Sequence, residues 1–192
     1  MAKPEPVTVL GIDASFTRTG YAVIETCGVP GLERVTHTDT FVSDRTETDA
    51  ERIGAIASMS LQMASSWGAT LVAIEQPYVG RNRQTALRLG QLIGGITQAL
   101  TAAGCEVVPV PTASVSAALG IGTRLQRKAK KTAALLAVAL RYGLEGITDD
   151  EADAIGVAVA AHKRKRAGAN KLAQLALGIK AGPRKRRRET TG

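Results

Sequence analysis

VTVLGIDASFTRTGY, Val7 to Tyr21, is an apolar run that ends in one carboxylate, Asp13, and then turns back on itself. Val7, Val9, Leu10 and Ile12 read as a buried strand, Gly11 allows something to approach that strand closely, and Ser15 to Gly20 reads as a turn into a second strand, Tyr21 to Ile24. A carboxylate at the rim of a buried strand is costly unless a cation or a proton donor meets it, which points to a salt bridge or a metal. A lone Asp that caps its own turn through backbone amides is the commoner arrangement. Further carboxylates in suitable places would give Asp13 a chemical meaning.

Working outward, Leu32 to Val42 alternates as a third strand and completes an antiparallel meander. The period then changes. Thr48-Asp49-Ala50-Glu51 is a capping box, and Ile53, Ile56, Met59, Met63 and Trp67 recur at helical spacing, so a helix starts near Asp49, buries that stripe and ends at Gly68. Thr70 to Glu75 is a buried strand that also finishes in a carboxylate. A polar loop, Pro77 to Arg83, leads to a helix from Gln84 to Ala103 with Leu89, Ile93, Ile96 and Leu100 on one stripe. Its internal Gly90, Gly94 and Gly95 each cost about 1 kcal/mol relative to Ala, so the sheet or a second copy of the helix is expected close by. Cys105 to Val110 is a fifth strand, placed at or near an edge by Pro109 and Pro111, and Thr112 is expected to cap a short helix. Thr123 to Lys131 is a basic loop or first turn before an Ala/Leu-rich helix, Thr132 to Tyr142. A second capping box, Thr148-Asp149-Asp150-Glu151, opens a helix expected to end near His162.

At 192 residues the chain suits one well-buried domain. No apolar run approaches the roughly eighteen residues that span a bilayer, and the opening MAKPEP lacks a signal-peptide pattern, so a soluble cytoplasmic protein away from membranes is expected. Cys27 and Cys105 lack metal-type spacing and read as reduced thiols. The net charge of +8 is uneven. Residues 163–192 hold eleven Lys or Arg against one acid, Glu189, which leaves 14 cations against 16 acids, a net of −2, in residues 1–162. The clusters Lys163-Arg164-Lys165-Arg166 and Arg184 to Arg188 have no interleaved acids and fit a flexible, nucleic-acid-binding tail on a domain of residues 1–162. A membrane surface is the weaker alternative for want of aromatic anchors.

Three antiparallel strands followed by helix, strand, helix and strand put Asp13 on the first strand and Glu75 on the fourth. If those strands are neighbours their ends converge. Asp150 and Asp153, three apart on the last helix, share a face and can be presented to the same point. Four acids in one cleft repel one another unless a divalent cation offsets them, and Mg²⁺ or Mn²⁺ prefers such oxygen ligands. A pair of such ions is the apparatus for in-line cleavage of a phosphodiester. Against this, Asp149, Asp150 and Glu151 lie in a helix's first turn, where acids suit the macrodipole without any further role. Asp153 sits in an Ala/Ile/Val-rich stretch, where a charge normally has a reason.

These stretches resemble a known family. GIDASFTRTGYAVI is similar to the opening strand and turn of RuvC-type Holliday junction resolvases, AIEQPY to their second acidic motif, TALRLGQLIGGI to the helix behind it and DDEADAIGVAVAAH to their C-terminal acidic helix, in matching order from Val7 to His162. The resemblance implies an α/β, ribonuclease H-like fold with a five-stranded mixed sheet in the order 3-2-1-4-5 flanked by helices. It also implies a two-fold homodimer, Mg²⁺ and symmetric nicking of branched, four-way DNA. Asp13, Glu75, Asp150 and Asp153 match the catalytic, metal-holding acids, with Asp149 the alternative to Asp150. Tyr78 matches an aromatic that stacks on a base at the junction centre, in a loop that also offers Arg81 and Arg83 to DNA. Lys131 matches a basic residue that positions DNA near the cleft, with Arg127, Lys128 and Lys130 as alternatives. Where the family often has a further lysine, this chain has Ser116 in a segment one residue short, a departure that puts one phosphate contact in question. Cutting two symmetry-related strands suits a two-fold pair of sites, and the glycine-bearing helix Gln84 to Ala103 is the candidate interface. Other classes compete: a branched-DNA binder without turnover, a nuclease of the same fold acting on flaps or forks, and an actin-like ATPase. The intact acids oppose the first, and the ATPase needs about twice this length.

Overall fold

A computed structural model of the protein describes residues 6–26, 32–76, 82–122 and 125–176. Strand β1 (Val7–Asp13) is the centre of a five-stranded sheet. It pairs antiparallel with β2 (Arg18–Thr26), which pairs antiparallel with β3 (Arg34–Val42). On its other side β1 pairs in parallel with β4 (Leu71–Glu75), and β4 with β5 (Glu106–Val110). The order is β3-β2-β1-β4-β5, the mixed sheet that the family resemblance implied, with proline-bearing β5 at an edge.

Because side chains alternate along a strand, each strand feeds two cores. Leu10 and Ile12 of β1, Tyr21 and Val23 of β2 and Val72 and Ile74 of β4 pack against α1 (Asp49–Ser66) and α2 (Arg83–Ala102) through Ile56, Met63, Leu92, Ile96 and Leu100. Val9, Ala22, Ile24, Leu71 and Ala73 face the opposite layer of α3 (Thr112–Ala118), α4 (Arg127–Tyr142) and α5 (Asp149–Ala176). Both capping boxes form. The Thr48 amide donates to Glu51 at 2.8 Å and the Glu51 amide to the Thr48 hydroxyl at 3.3 Å, and the matching bonds between Thr148 and Glu151 are 2.7 and 3.2 Å.

What brings α5 down onto the sheet is the small size of its own residues and of the strand residues beneath them. Residues 152 and 154–161, mostly Ala, Val and Gly, are buried. A Cβ on Gly11 would lie 2.2 Å from the Ala154 carbonyl oxygen, and one on Gly20 would lie 2.1 Å from that of Asp150. Any side chain at either glycine would push the helix away.

Several expectations need correction. Helix α5 does not end near His162 but runs to Ala176, so residues 163–176 are helical and not a disordered arm. Lys163 donates to the Ala118 carbonyl at 3.2 Å, Arg164 to that of Pro109 at 3.0 Å and Lys165 to Glu106 at 2.5 Å, and these bonds fasten the extension to the body. Helix α4 begins at Arg127, earlier than Thr132. Thr112 does not cap α3; Pro111 holds that position and no side chain caps it. Trp67, expected on the buried stripe of α1, is 38% exposed and stacks on His37 with ring centroids 4.9 Å apart. Of the α2 glycines, Gly95 faces Ile53 of α1, while Gly90 and Gly94 face open space.

Candidate active site

Strand parity places the first two acids. Asp13 shares the face of Val9 and Gly11, and Glu75 that of Leu71 and Ala73, so both belong to the side covered by α5. Parallel pairing matches Ile12 with Ile74, and one further step sets Asp13 beside Glu75 at the C-terminal ends of adjacent strands. Gly20 pairs with Asp13 across β1 and β2 and lies under the backbone of Asp150, so the first turn of α5 enters directly over Asp13. One turn along, Asp153 joins them.

The electrostatics record this gathering. Burial, followed by the charges of Asp153, Glu75 and Asp150, pushes the Asp13 carboxyl up to about 8, against a partial offset from Lys131. Burial, then Glu75, pushes Asp153 up to about 6. Glu75 is raised by burial and partly steadied by a hydrogen bond from the Thr112 side chain and by the charge of Lys130. Each of these acids holds its proton more tightly than a free carboxylate because ionising it puts a charge in a buried place, which for Asp13 and Asp153 is also crowded with other carboxylates.

Two cations serve the outer acids of the helix. The Arg18 Nε donates to Asp150 Oδ2 at 2.7 Å, and the Lys131 ammonium pairs with Asp149, whose carboxyl it holds below its ordinary value. Among the described residues, Asp13, Glu75 and Asp153 have no ion pair. Beside them lies a cavity of about 170 Å³ lined by Glu75, Asp153, Thr112, Ser116, Lys130 and Lys131, with apolar walls from Val115, Leu119, Ile121 and Ala134. The turn that follows Asp13 is braced from the other layer. The Phe16 carbonyl accepts from the Ser43 hydroxyl and the Arg52 guanidinium, and the guanidinium groups of Arg52 and Arg88 lie 5.4 and 5.0 Å from the Phe16 ring centre. Arg88 is itself held by two bonds to Asp49, 2.6 and 2.7 Å.

A family description, crossover junction endodeoxyribonuclease RuvC, matches residues 9–162, the span that carries the sheet, the four acids and the start of α5. The chain belongs to this family. A crossover junction endodeoxyribonuclease RuvC from Parasynechococcus marenigrum (strain WH8102) is 32% identical over 154 residues, covering 79% of this chain and 95% of the relative. A Thermus thermophilus RuvC structure superposes with a TM-score of 0.71 at 25% identity, covering 84% of this chain and 97% of the other. A structure of T. thermophilus RuvC in complex with Holliday junction substrate gives 0.68 at 24% identity, covering 83% and 96%.

The RuvC family is metal-dependent, and the donor chemistry here suits a hard divalent cation. Asp13, Glu75, Asp150 and Asp153 supply only oxygen, and burial together with the charges of the neighbouring acids, which raise Asp13 to about 8, is what such an ion offsets. Among the described residues no three acidic, His or Cys side chains form a ready-made coordination group, and Arg18 and Lys131 are paired with Asp150 and Asp149.

Of the expected DNA contacts, Lys130 and Lys131 border the acids, and Lys128 is exposed one turn away on α4. The backbone of Arg127 begins that helix. Four cations at a helix N-terminus oppose the macrodipole, an arrangement that an anionic partner makes favourable. Arg83 is exposed at the start of α2. Tyr78 and Arg81 lie outside the described residues, as do Arg184 to Arg188. Lys163, Arg164 and Lys165 stand on α5 with their head groups bonded to the body, and Arg166 follows them on the same helix. Ser116 is buried and donates to the Thr112 carbonyl at 3.3 Å, so it offers no phosphate contact.

Two residues at the site are not legible in the sequence. Arg18 is hidden in the turn after Asp13, where a cation five residues from an acid is the only signal. Thr112 reads as a helix cap, and its position just beyond β5, the neighbour of β4, is what puts it in reach of Glu75.

Proposed function

We propose that this chain is a working resolvase: a metal-dependent endonuclease that nicks four-way DNA junctions symmetrically as a homodimer. The observation that carries it is the seating of α5 on Gly11 and Gly20, which brings Asp150 and Asp153 over the strand-end pair Asp13 and Glu75. Asp13, Glu75, Asp150 and Asp153 hold Mg²⁺, or Mn²⁺, and the four carboxylates suit a pair of ions. When bound, the metal supplies Lewis-acid activation of the scissile phosphodiester. The residues of the chain do the remainder. Thr112 orients the Glu75 carboxylate, Lys131 offsets the charge on Asp13 and Asp153, and Lys130 stands beside Glu75 where a phosphate would add negative charge. Cations at the start of α4, Arg83 and the basic residues from Lys163 onward hold the DNA backbone, and Tyr78 stacks on a base at the junction centre.

The dimer rests on the exposed face of α2. Gly90 and Gly94, four residues apart, are open, and Leu87 beside them is 59% exposed. A flat face of this kind lets a second helix approach closely, and a two-fold pair places two sites on two symmetry-related strands.

Purified protein incubated with a synthetic four-way junction and a matched duplex, each with and without Mg²⁺, tests the activity. Nicks should form in the junction alone and only with the metal. Asp13→Asn and Glu75→Gln should bind the junction and leave it uncut, because these acids hold metal and do not grip the backbone. Full cleavage by Asp13→Asn would remove the site assignment.

A further inference from the structure

Arg18 occupies a position that the proposed mechanism leaves without a task. It opens β2 just after the turn from Asp13, and its Nε donates to Asp150 at 2.7 Å. The Arg18 side chain is 48% exposed and that of Asp150 only 17%, so the guanidinium bridges the acid site and the solvent side where DNA would lie. Among the described residues its two Nη groups make no hydrogen bond, which leaves a fork of donors matched to a phosphate. An ion pair this exposed is weak and labile. Each acid in the first turn of α5 is thereby taken: Glu151 by the Thr148 amide, Asp149 by Lys131 and Asp150 by Arg18. Among the described residues the inner acids Asp13, Glu75 and Asp153 have no ion pair, and no three acids form a coordination group.

A carboxylate oxygen cannot serve an arginine and a divalent cation at full strength together. We propose that Arg18 is a positioning residue that occupies the Asp150 carboxylate when no DNA is bound, and that a DNA phosphate draws the guanidinium off Asp150 and frees it for metal. Metal binding and DNA binding then strengthen each other by the same factor. This rests on Asp150 being a metal ligand, as proposed above. The consequence is an enzyme whose metal site is completed only on its substrate.

The test is direct titration of full-length protein with Ca²⁺ or Mn²⁺ by calorimetry, with Ca²⁺ used wherever DNA is present. Wild type, Arg18→Ala, Arg18→Gln, Arg18→Lys and Asp150→Asn are compared, and melting curves check that each folds. Without DNA, Arg18→Ala and Arg18→Gln should tighten Mn²⁺ binding roughly two- to fivefold, and Arg18→Lys should lie between them and wild type. A four-way junction should tighten Ca²⁺ binding to wild type and have much less effect on Arg18→Ala or Arg18→Gln. Simple removal of a positive charge would tighten metal binding with and without DNA alike and keep the coupling, so retained coupling in both neutral variants overturns the proposal. Unchanged or weaker Mn²⁺ binding in those variants overturns it as well. Asp150→Asn separates the two ideas: unchanged metal affinity there refutes Asp150 as a ligand, whereas weakened affinity together with an inert Arg18 refutes only the role of Arg18.

Discussion

At the level of single residues, Asp13 decides how the protein responds to pH. Its carboxyl is raised to about 8 and that of Asp153 to about 6, both above the ordinary carboxylate range. The folded protein therefore keeps protons that the unfolded chain releases above about pH 4, and without metal its stability should fall as pH rises through that interval towards 8. Thermal unfolding in a chelating buffer should show a lower Tm at pH 8 than at pH 5, and Mg²⁺ should raise Tm more at pH 8. Asp13→Asn removes the largest contributor. At pH 8 without metal it should be more stable than wild type, by about 1–3 kcal/mol on the usual scale for relieving an uncompensated buried charge. A wild-type Tm that climbs between pH 5 and 8 in chelator would contradict the crowding of the four acids. Asp13 was legible in the sequence because a second strand also ends in a carboxylate, Glu75, and Asp150 and Asp153 share one face of the last helix. Arg18 was not, because its partner Asp150 is 132 residues away and only the fold brings them together.

Among the elements, α5 carries the site, and what seats it is the absence of side chains on the strands beneath. Strand β1 presents Gly11 under Ala154 and Ala158, and β2 presents Gly20 under Asp150. Gly11→Ala would set a methyl group against helix backbone, which cannot move aside as a flexible side chain would. Overpacking of this kind typically costs about 1–3 kcal/mol, and it would also lift Asp150 and Asp153 from Asp13 and Glu75. Denaturant unfolding and junction cleavage should therefore fail together in Gly11→Ala, whereas Asp13→Asn should lose cleavage alone. A Gly11→Ala protein of wild-type stability and activity would refute this account of the helix position. The strands and helices were legible because apolar runs, carboxylate-tipped ends and capping boxes are local signals, whereas the order of the strands came from the family resemblance. The extension of α5 beyond His162 was not. A run of four cations resembles a solvated arm until the carbonyls of Ala118 and Pro109 and the carboxylate of Glu106 are found within reach of it. Local helix formers in residues 171–176 then continue the same helix.

For the whole molecule, the grip on DNA is proposed to come from a two-fold pairing and from the basic C-terminal region. Gly90→Ala and Gly94→Ala add helix propensity on an open face, so a monomer should gain up to about 1 kcal/mol per site, while a dimer packed through that face should weaken. Sedimentation of wild type and the double variant at micromolar concentration distinguishes the two, and identical behaviour would move the interface elsewhere. The basic region calls for a cut placed with the fold in view. Removing everything after His162 would strip helical residues whose head groups bind the body, and would confuse reduced stability with a weakened grip on DNA. Ending the chain at Ala176 leaves that helix whole and removes six Lys or Arg with one acid, Glu189. If those cations meet phosphates, each phosphate no longer neutralised should reduce the slope of log affinity against log salt by about 0.9. Affinity for duplex and for four-way junction should fall by similar factors, because binding to the phosphate backbone carries no structural information. Single-turnover cleavage at saturating protein should stay near the full-length rate, since the acids and their cations are untouched. An unchanged salt slope with unchanged affinity for both DNAs would show that residues 177–192 do not bind DNA, and a loss confined to the junction would make them part of its structural recognition.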